Sequence, residues 1–160
     1  MDDLALFPLG AVLFPGGRLP LRIFEARYMD MAKACLRDGV PFGVCLIREG
    51  TEVGAPATPF EVGTLARISE WDMQQLGLLQ IVATGGARFR ILERRTQPDG
   101  LQRARVELLA EEPDGDQAWQ LADQIPLPLA LRQALLELPD APARLALLRD
   151  IARRLSSEGP

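Results

Sequence analysis

Histidine is absent from the 160 residues, and with it the side chain that most often acts as a general base near neutral pH. The other groups able to do covalent chemistry are few. They are Cys35 and Cys45, three serines (Ser69, Ser156 and Ser157), and Lys33, the only lysine. A cysteine nucleophile usually needs a base beside it, and zinc needs about four N, S or O ligands; two cysteines supply neither. Both lie among apolar residues, so core packing is their expected role. No G-x-x-x-x-G-K-[ST] run occurs, so no phosphate-cradling loop is expected. The acidic run Glu111 to Asp116 lacks the D-x-[DN]-x-[DN]-G order and distal Glu of a calcium loop, and reads as a linker. These readings lead to no catalytic residue, no metal and no cofactor. A small hydrolase with an unrecognised site stands only as the weaker enzymatic alternative.

Binding chemistry is better represented. Of 18 basic residues, 17 are arginine. Arg88, Arg90, Arg94, Arg95, Arg103 and Arg105 fall on neighbouring segments, which raises RNA binding as an alternative. Glu93 and Glu107 lie among them, and net charge is −4, so a solvated, salt-bridged face is the favoured reading. Trp119 is expected to pack, while Trp71 is left open between packing and ligand contact. The strongest binding candidate is the junction formed by Phe14, Leu19, Phe24, Arg27 and Tyr28. Aromatic and apolar side chains there flank a charge, and Pro15 and Pro20 keep the backbone extended, a mix suited to partly apolar peptide segments. Phe24 is expected to be partly core, leaving Phe14 and Arg27 as the exposed probes.

The elements that must position these residues follow from period and punctuation. Leu4 to Leu9, Val12 to Phe14 and Leu19 to Ile23 are three short apolar pieces, expected as strands covered on both faces or bent round a small barrel. A helix follows from about Glu25 to Asp38. Tyr28, Met31, Ala32, Cys35 and Leu36 form its apolar stripe and should be buried, with Asp30, Lys33 and Arg37 outside. Gly39 and Pro41 stop it. Phe42 to Arg48, Phe60 to Ser69, Leu78 to Thr84, Ala87 to Arg95 and the segment through Ala104, Val106 and Leu108 are expected strands. Gly85-Gly86 and Pro98-Asp99-Gly100 are read as tight turns. Beyond the acidic run the period becomes helical, over Gln117 to Gln124, Leu129 to Leu138 and Ala143 to Leu155. Leu145, Leu148, Ile151, Ala152 and Leu155 make the last stripe. The expected class is α+β: a barrel-like unit of about six short, mostly antiparallel strands with one amphipathic helix over residues 1–112, then a helical cap over 113–160. Hydrophobic residues at 48% and charged ones at 25% are ordinary for a globular chain.

Several blocks carry a resemblance. Leu6-Phe7-Pro8-Leu9, Val12-Leu13-Phe14-Pro15-Gly16, Leu19 to Tyr28 (LPLRIFEARY) and Phe42-Gly43-Val44 are similar to the N-terminal substrate-binding domain of ATP-dependent Lon proteases. Val62 to Ala66, the Gly85-Gly86 to Phe89 stretch and Leu127-Pro128-Leu129 extend the likeness over nearly the whole chain. In detail it resembles the stand-alone bacterial form. The resemblance implies a PUA-like pseudo-barrel followed by helices. It also implies a non-catalytic role in recognising unfolded or partly folded polypeptides, with a Lon-type protease as a further possible partner. The ATPase loop and the Ser-Lys catalytic context of the full-length enzymes have no counterpart here. The acidic start MDDLALF is unlike a signal peptide and no apolar run reaches the ~18 residues of a membrane span, so a cytoplasmic location is expected, with no membrane partner.

Overall fold

A computed structural model describes residues 1–111 and 115–158. The strands are β1 (Leu4–Leu9), β2 (Arg18–Ile23), β3 (Phe42–Glu49), β4 (Thr58–Pro59), β5 (Val62–Gln75), β6 (Leu78–Thr96) and β7 (Gln102–Leu108). The helices are α1 (Ala26–Asp38), α2 (Gly115–Gln124), α3 (Leu129–Glu137) and α4 (Ala141–Glu158). The sheet runs β1-β7-β6-β5-β3, and β1 also pairs with β3 in parallel, so these five strands close on themselves. Closure removes the open edges that a flat sheet would present. β2 hangs outside the ring on β6, and β4 on β3. The architecture is α+β, mostly antiparallel, as expected.

The barrel interior is filled from all five strands. Leu4, Leu6, Cys45, Phe89, Ala104 and Val106 are buried there, with Leu65 packed against them. The opposite face of β1 carries Ala5, Phe7 and Leu9, which meet Tyr28, Met31, Ala32 and Cys35 of α1. Covered on both sides, β1 is buried at all six positions, which explains why it lacks polar alternation. Phe89 needs room: its ring end lies where a Cβ on Gly43 or Gly63 would come within 2.8 Å. A third cluster joins barrel to cap. Val12, Phe14, Leu46 and Val62 pack with Trp119, Ala122, Leu135, Leu136 and Leu148. The acidic junction at Glu112-Pro113-Asp114, where the barrel was expected to give way to the cap, lies outside the described residues.

Three expectations about local structure are corrected. Val12 to Phe14 is no strand. It is held instead by Thr64, whose hydroxyl donates to Leu13 O at 2.6 Å, and by the Gly17 N–H bond to Phe14 O. Gly85-Gly86 is not a turn: β6 runs unbroken through it, pairing with β2 and the second half of β5 before the glycines, and with β7 and the first half of β5 after them. The strand bends here, at a register shift between Thr64 and Ala66. Gly85 bonds the chain at Phe14 to Gly17 on both sides, Gly16 N–H to Gly85 O and Gly85 N–H to Gly17 O, each 2.9 Å. A Cβ on Gly85 would collide with the Phe14 carbonyl. The segment Trp71 to Gln75, left without assignment from sequence, continues β5. Together with β2 and the start of β6 it makes a three-stranded arm beyond the barrel.

The remaining correction concerns faces. Tyr28, Met31, Ala32 and Cys35 are buried, whereas Leu36 is 38% exposed. Leu36 lies on the shoulder of the stripe in the last turns of α1, while Arg27 and Met29 are buried instead. Leu108 ends β7 at the rim and is exposed, and so are Ala152 and Leu155 on the outer part of α4.

Leu36→Ala is therefore expected to cost less than about 1 kcal/mol, and Phe89→Ala about 3–5 kcal/mol. Urea midpoints measure both; a Leu36 variant as unstable as the Phe89 variant would show that α1 presents a different face. The thiols give a second check. Burial pushes the Cys45 thiol up to about 12, with Arg94 opposing it, and burial also raises Cys35. A thiol held protonated is a poor nucleophile. Both should resist a disulfide reagent in the native protein at mildly alkaline pH and react quickly once it is unfolded.

Candidate functional site

β2 pairs on one side only, with β6. Pro20 sits in its middle, as edge strands tolerate. Five consecutive residues, Pro20 to Phe24, line a cleft of about 300 Å³. Alternating side chains point to opposite faces of a strand, so the cleft meets both orientations of β2, whose other side is taken by β6. The opposite wall is Phe7, Leu9 and Ala11 at alternate positions, with Glu52 and Val53 from the loop after β3. Tyr28 also lines it and stacks on Phe7, ring centroids 4.0 Å apart.

The extended backbone continues past β2. Glu25 caps α1 at φ −80, ψ 139. With Ile23 buried, the alternation turns Phe24 outward, and it is 59% exposed. Val53 is exposed across the cleft. Arg27 works behind this surface. Its Nη2 donates to Gly54 O at 2.8 Å and its Nη1 to Gly100 O at 3.2 Å. Its Nε lies 3.0 Å from Glu25 Oε2, and its guanidinium covers the Tyr28 ring at 4.7 Å. Glu52 Oε1 in turn accepts from the Gly10 N–H at 2.6 Å. The loop carrying Glu52 and Val53 is thus tied down on both sides. Burial pushes the Tyr28 phenol up; Arg27 opposes this, and Glu25 and Glu52 raise it further.

The five residues of the expected junction do not form one surface. Phe24 and Tyr28 reach the cleft, and Arg27, only 6% exposed, braces it from within. Leu19 lies half-buried on the arm. Phe14 is 1% exposed and sits in the cap cluster, stacked on Trp119 at 5.2 Å with Arg132 over its ring at 4.4 Å. The roles expected of Phe24 and of the pair Phe14 and Arg27 are therefore exchanged. Glu52 and Val53, which also line the cleft, lie in a Gly-, Pro- and Thr-rich loop that has no period to read.

The other candidates resolve as follows. Cys35 and Cys45 are free, buried and in separate clusters. Trp119 packs in the cap cluster. Trp71 is exposed on the arm beside a more open hollow of about 660 Å³. The arginine face is not continuous. Arg88 is buried and donates to Leu136 O and Leu138 O of the cap. Arg95 and Arg103 share Asp3, and Arg105 meets Glu93 at 3.4 Å. Ser69 donates to Val82 O and accepts from the Thr84 hydroxyl. No group of three or more potential metal ligands occurs among the described residues.

Arg27→Ala should destabilise the protein by about 1–3 kcal/mol, since it removes a buried guanidinium that holds two part-buried carbonyls and a carboxylate partner. Arg27→Lys should recover little, because one ammonium cannot reach the positions a guanidinium fork spans. Urea denaturation checks both; a wild-type midpoint for Arg27→Ala would dismiss the brace.

Comparison with known proteins agrees with this architecture. The chain is 30% identical over 115 residues to protein cereblon from Danio rerio, a match taking in 69% of this chain and 26% of that one. It is 30% identical over 142 residues to Lon protease from Anaeromyxobacter dehalogenans, 88% of this chain and 17% of that one. It thus spans about a quarter or less of the length of these curated relatives. Among solved structures, a Lon N-terminal domain protein from Xanthomonas campestris superposes with a TM-score of 0.80 at 31% identity, covering 100% of both chains. Residues 3–118 match the family model described as the ATP-dependent protease La (LON) substrate-binding domain. This chain belongs to that Lon substrate-binding domain family.

Proposed function

We propose that the chain is a non-catalytic polypeptide-binding module, and that it holds extended, partly apolar segments in the cleft along β2. The observation that carries this is the pairing of an open strand edge with two exposed apolar side chains, Phe24 and Val53, across about 300 Å³. An open edge supplies backbone hydrogen bonds, and flanking apolar groups supply contact area. The family supports the class of role, substrate binding, and the lack of histidine supports a role without covalent chemistry. Unfolded or partly folded polypeptides are the proposed partners, with a Lon-type protease as a possible recipient. A cleft of this size offers little area to offset lost freedom, so affinity should be on the order of micromolar or weaker.

The test is a titration of labelled unfolded polypeptide into wild type and Phe24→Ala, with far-UV circular dichroism as the folding control. Loss of the exposed ring should weaken binding about three- to tenfold. A folded Phe24→Ala protein that binds as well as wild type places the site elsewhere. No binding by wild type at high concentration removes the polypeptide reading. Salt-sensitive binding of RNA in the same format would favour the arginine-face alternative.

A further inference from the structure

The cleft along β2 carries charge as well as apolar surface. Glu25 and Glu52 line it, against one solvent-facing cation, Arg22. Arg27, the other guanidinium nearby, is buried and engaged with Glu25 and two carbonyls. Glu52 is exposed and uses only Oε1, for the Gly10 N–H. The open hollow on the arm shares Pro20, Leu21 and Arg22 with the cleft and adds two exposed carboxylates, Glu70 and Asp72. Glu70 is bridged to Arg18 at 3.2 Å. Of the four carboxylates around β2, Glu25 is paired with Arg27 and Glu70 with Arg18, which leaves Glu52 and Asp72 against Arg22.

We propose that this cleft selects extended segments in which an apolar side chain has basic neighbours, and rejects those with acidic neighbours. The inference rests on the polypeptide-binding reading above and specifies its substrate class. The apolar side chain lies against Phe24 and Val53, the segment's backbone follows the free edge of β2, and a flanking Lys or Arg comes near Glu52. Acidic flanks meet like charge and are disfavoured, so discrimination comes from repulsion as much as from attraction. The carboxylates are largely solvated, so each flanking charge contributes modestly, and added salt weakens the preference.

The experiment uses short labelled peptides sharing one apolar centre and flanked by lysines, serines or glutamates, titrated by fluorescence anisotropy at low and high salt. The lysine-flanked peptide should bind about fivefold or more tighter than the glutamate-flanked one at low salt, with the serine peptide between and the gap shrinking at high salt. Glu52→Gln keeps an acceptor for the Gly10 N–H while removing the charge, and should narrow the gap about twofold. Asp72→Asn, across β6 from β2, should leave the gap as it is. Equal affinity for lysine and glutamate flanks overturns the inference and leaves the polypeptide reading standing. Tighter binding of the glutamate peptide overturns it as well, and so does a gap that Glu52→Gln does not narrow. Failure of all the peptides to bind takes down both the inference and the reading it rests on.

Discussion

The contact between the Phe14 to Gly17 segment and the bend of β6 at Gly85 is the constraint on which the rest of the structure depends. Two backbone hydrogen bonds join them, and the bend separates the part of β6 that closes the barrel from the part that bears the arm. Phe14, carried on the same segment, reaches the other way into the cap and stacks on Trp119. One short irregular stretch therefore fixes barrel, arm and cap together. It can do so because its apolar side chains are buried while its backbone groups find partners outside any ladder, in the Thr64 hydroxyl, Gly85 and Arg132.

The arrangement also explains how a binding edge survives in a closed barrel. Closure through the β1–β3 pair uses up the edges of the ring, but β2 stands outside it and keeps one side free. Pro20 and the charged residues beside it blunt that edge against indiscriminate pairing. The wall opposite is a loop; Arg27, through Gly54, and Glu52 hold it on either side of Val53. Most of the polar interactions around the cleft are thus spent on keeping it open rather than on meeting a ligand.

Much of the fold was legible in the sequence. The α1 boundaries, the hairpin at Pro98-Asp99-Gly100 and the helical period beyond the acidic run are local signals, set by caps, turns and spacing within one element. The misreadings share a cause of another kind. Gly85-Gly86 has the composition of a turn, yet its meaning lies in the Phe14 carbonyl it must accommodate, some seventy residues away in sequence. Arg27 has the composition of a surface charge, yet three polar partners, two of them on distant loops, draw it inward. The exchange of Phe14 and Phe24 has the same origin: the cap that covers Phe14 arrives only at Trp119. The candidate site was half legible for this reason. Its strand-to-helix side is contiguous in the chain, and its loop side is not.

The bend at Gly85 also sets how freely the gene can vary there. Gly85 and Gly86 are adjacent and identical in composition, but their surroundings differ. A methyl group on Gly86 would meet nothing closer than 3.6 Å, an ordinary contact, whereas on Gly85 it would strike the Phe14 backbone. Backbone cannot swing aside as a side-chain tip can, so no rotamer relieves the clash. Of two neighbouring glycines, one has room for a methyl group and the other has room for none.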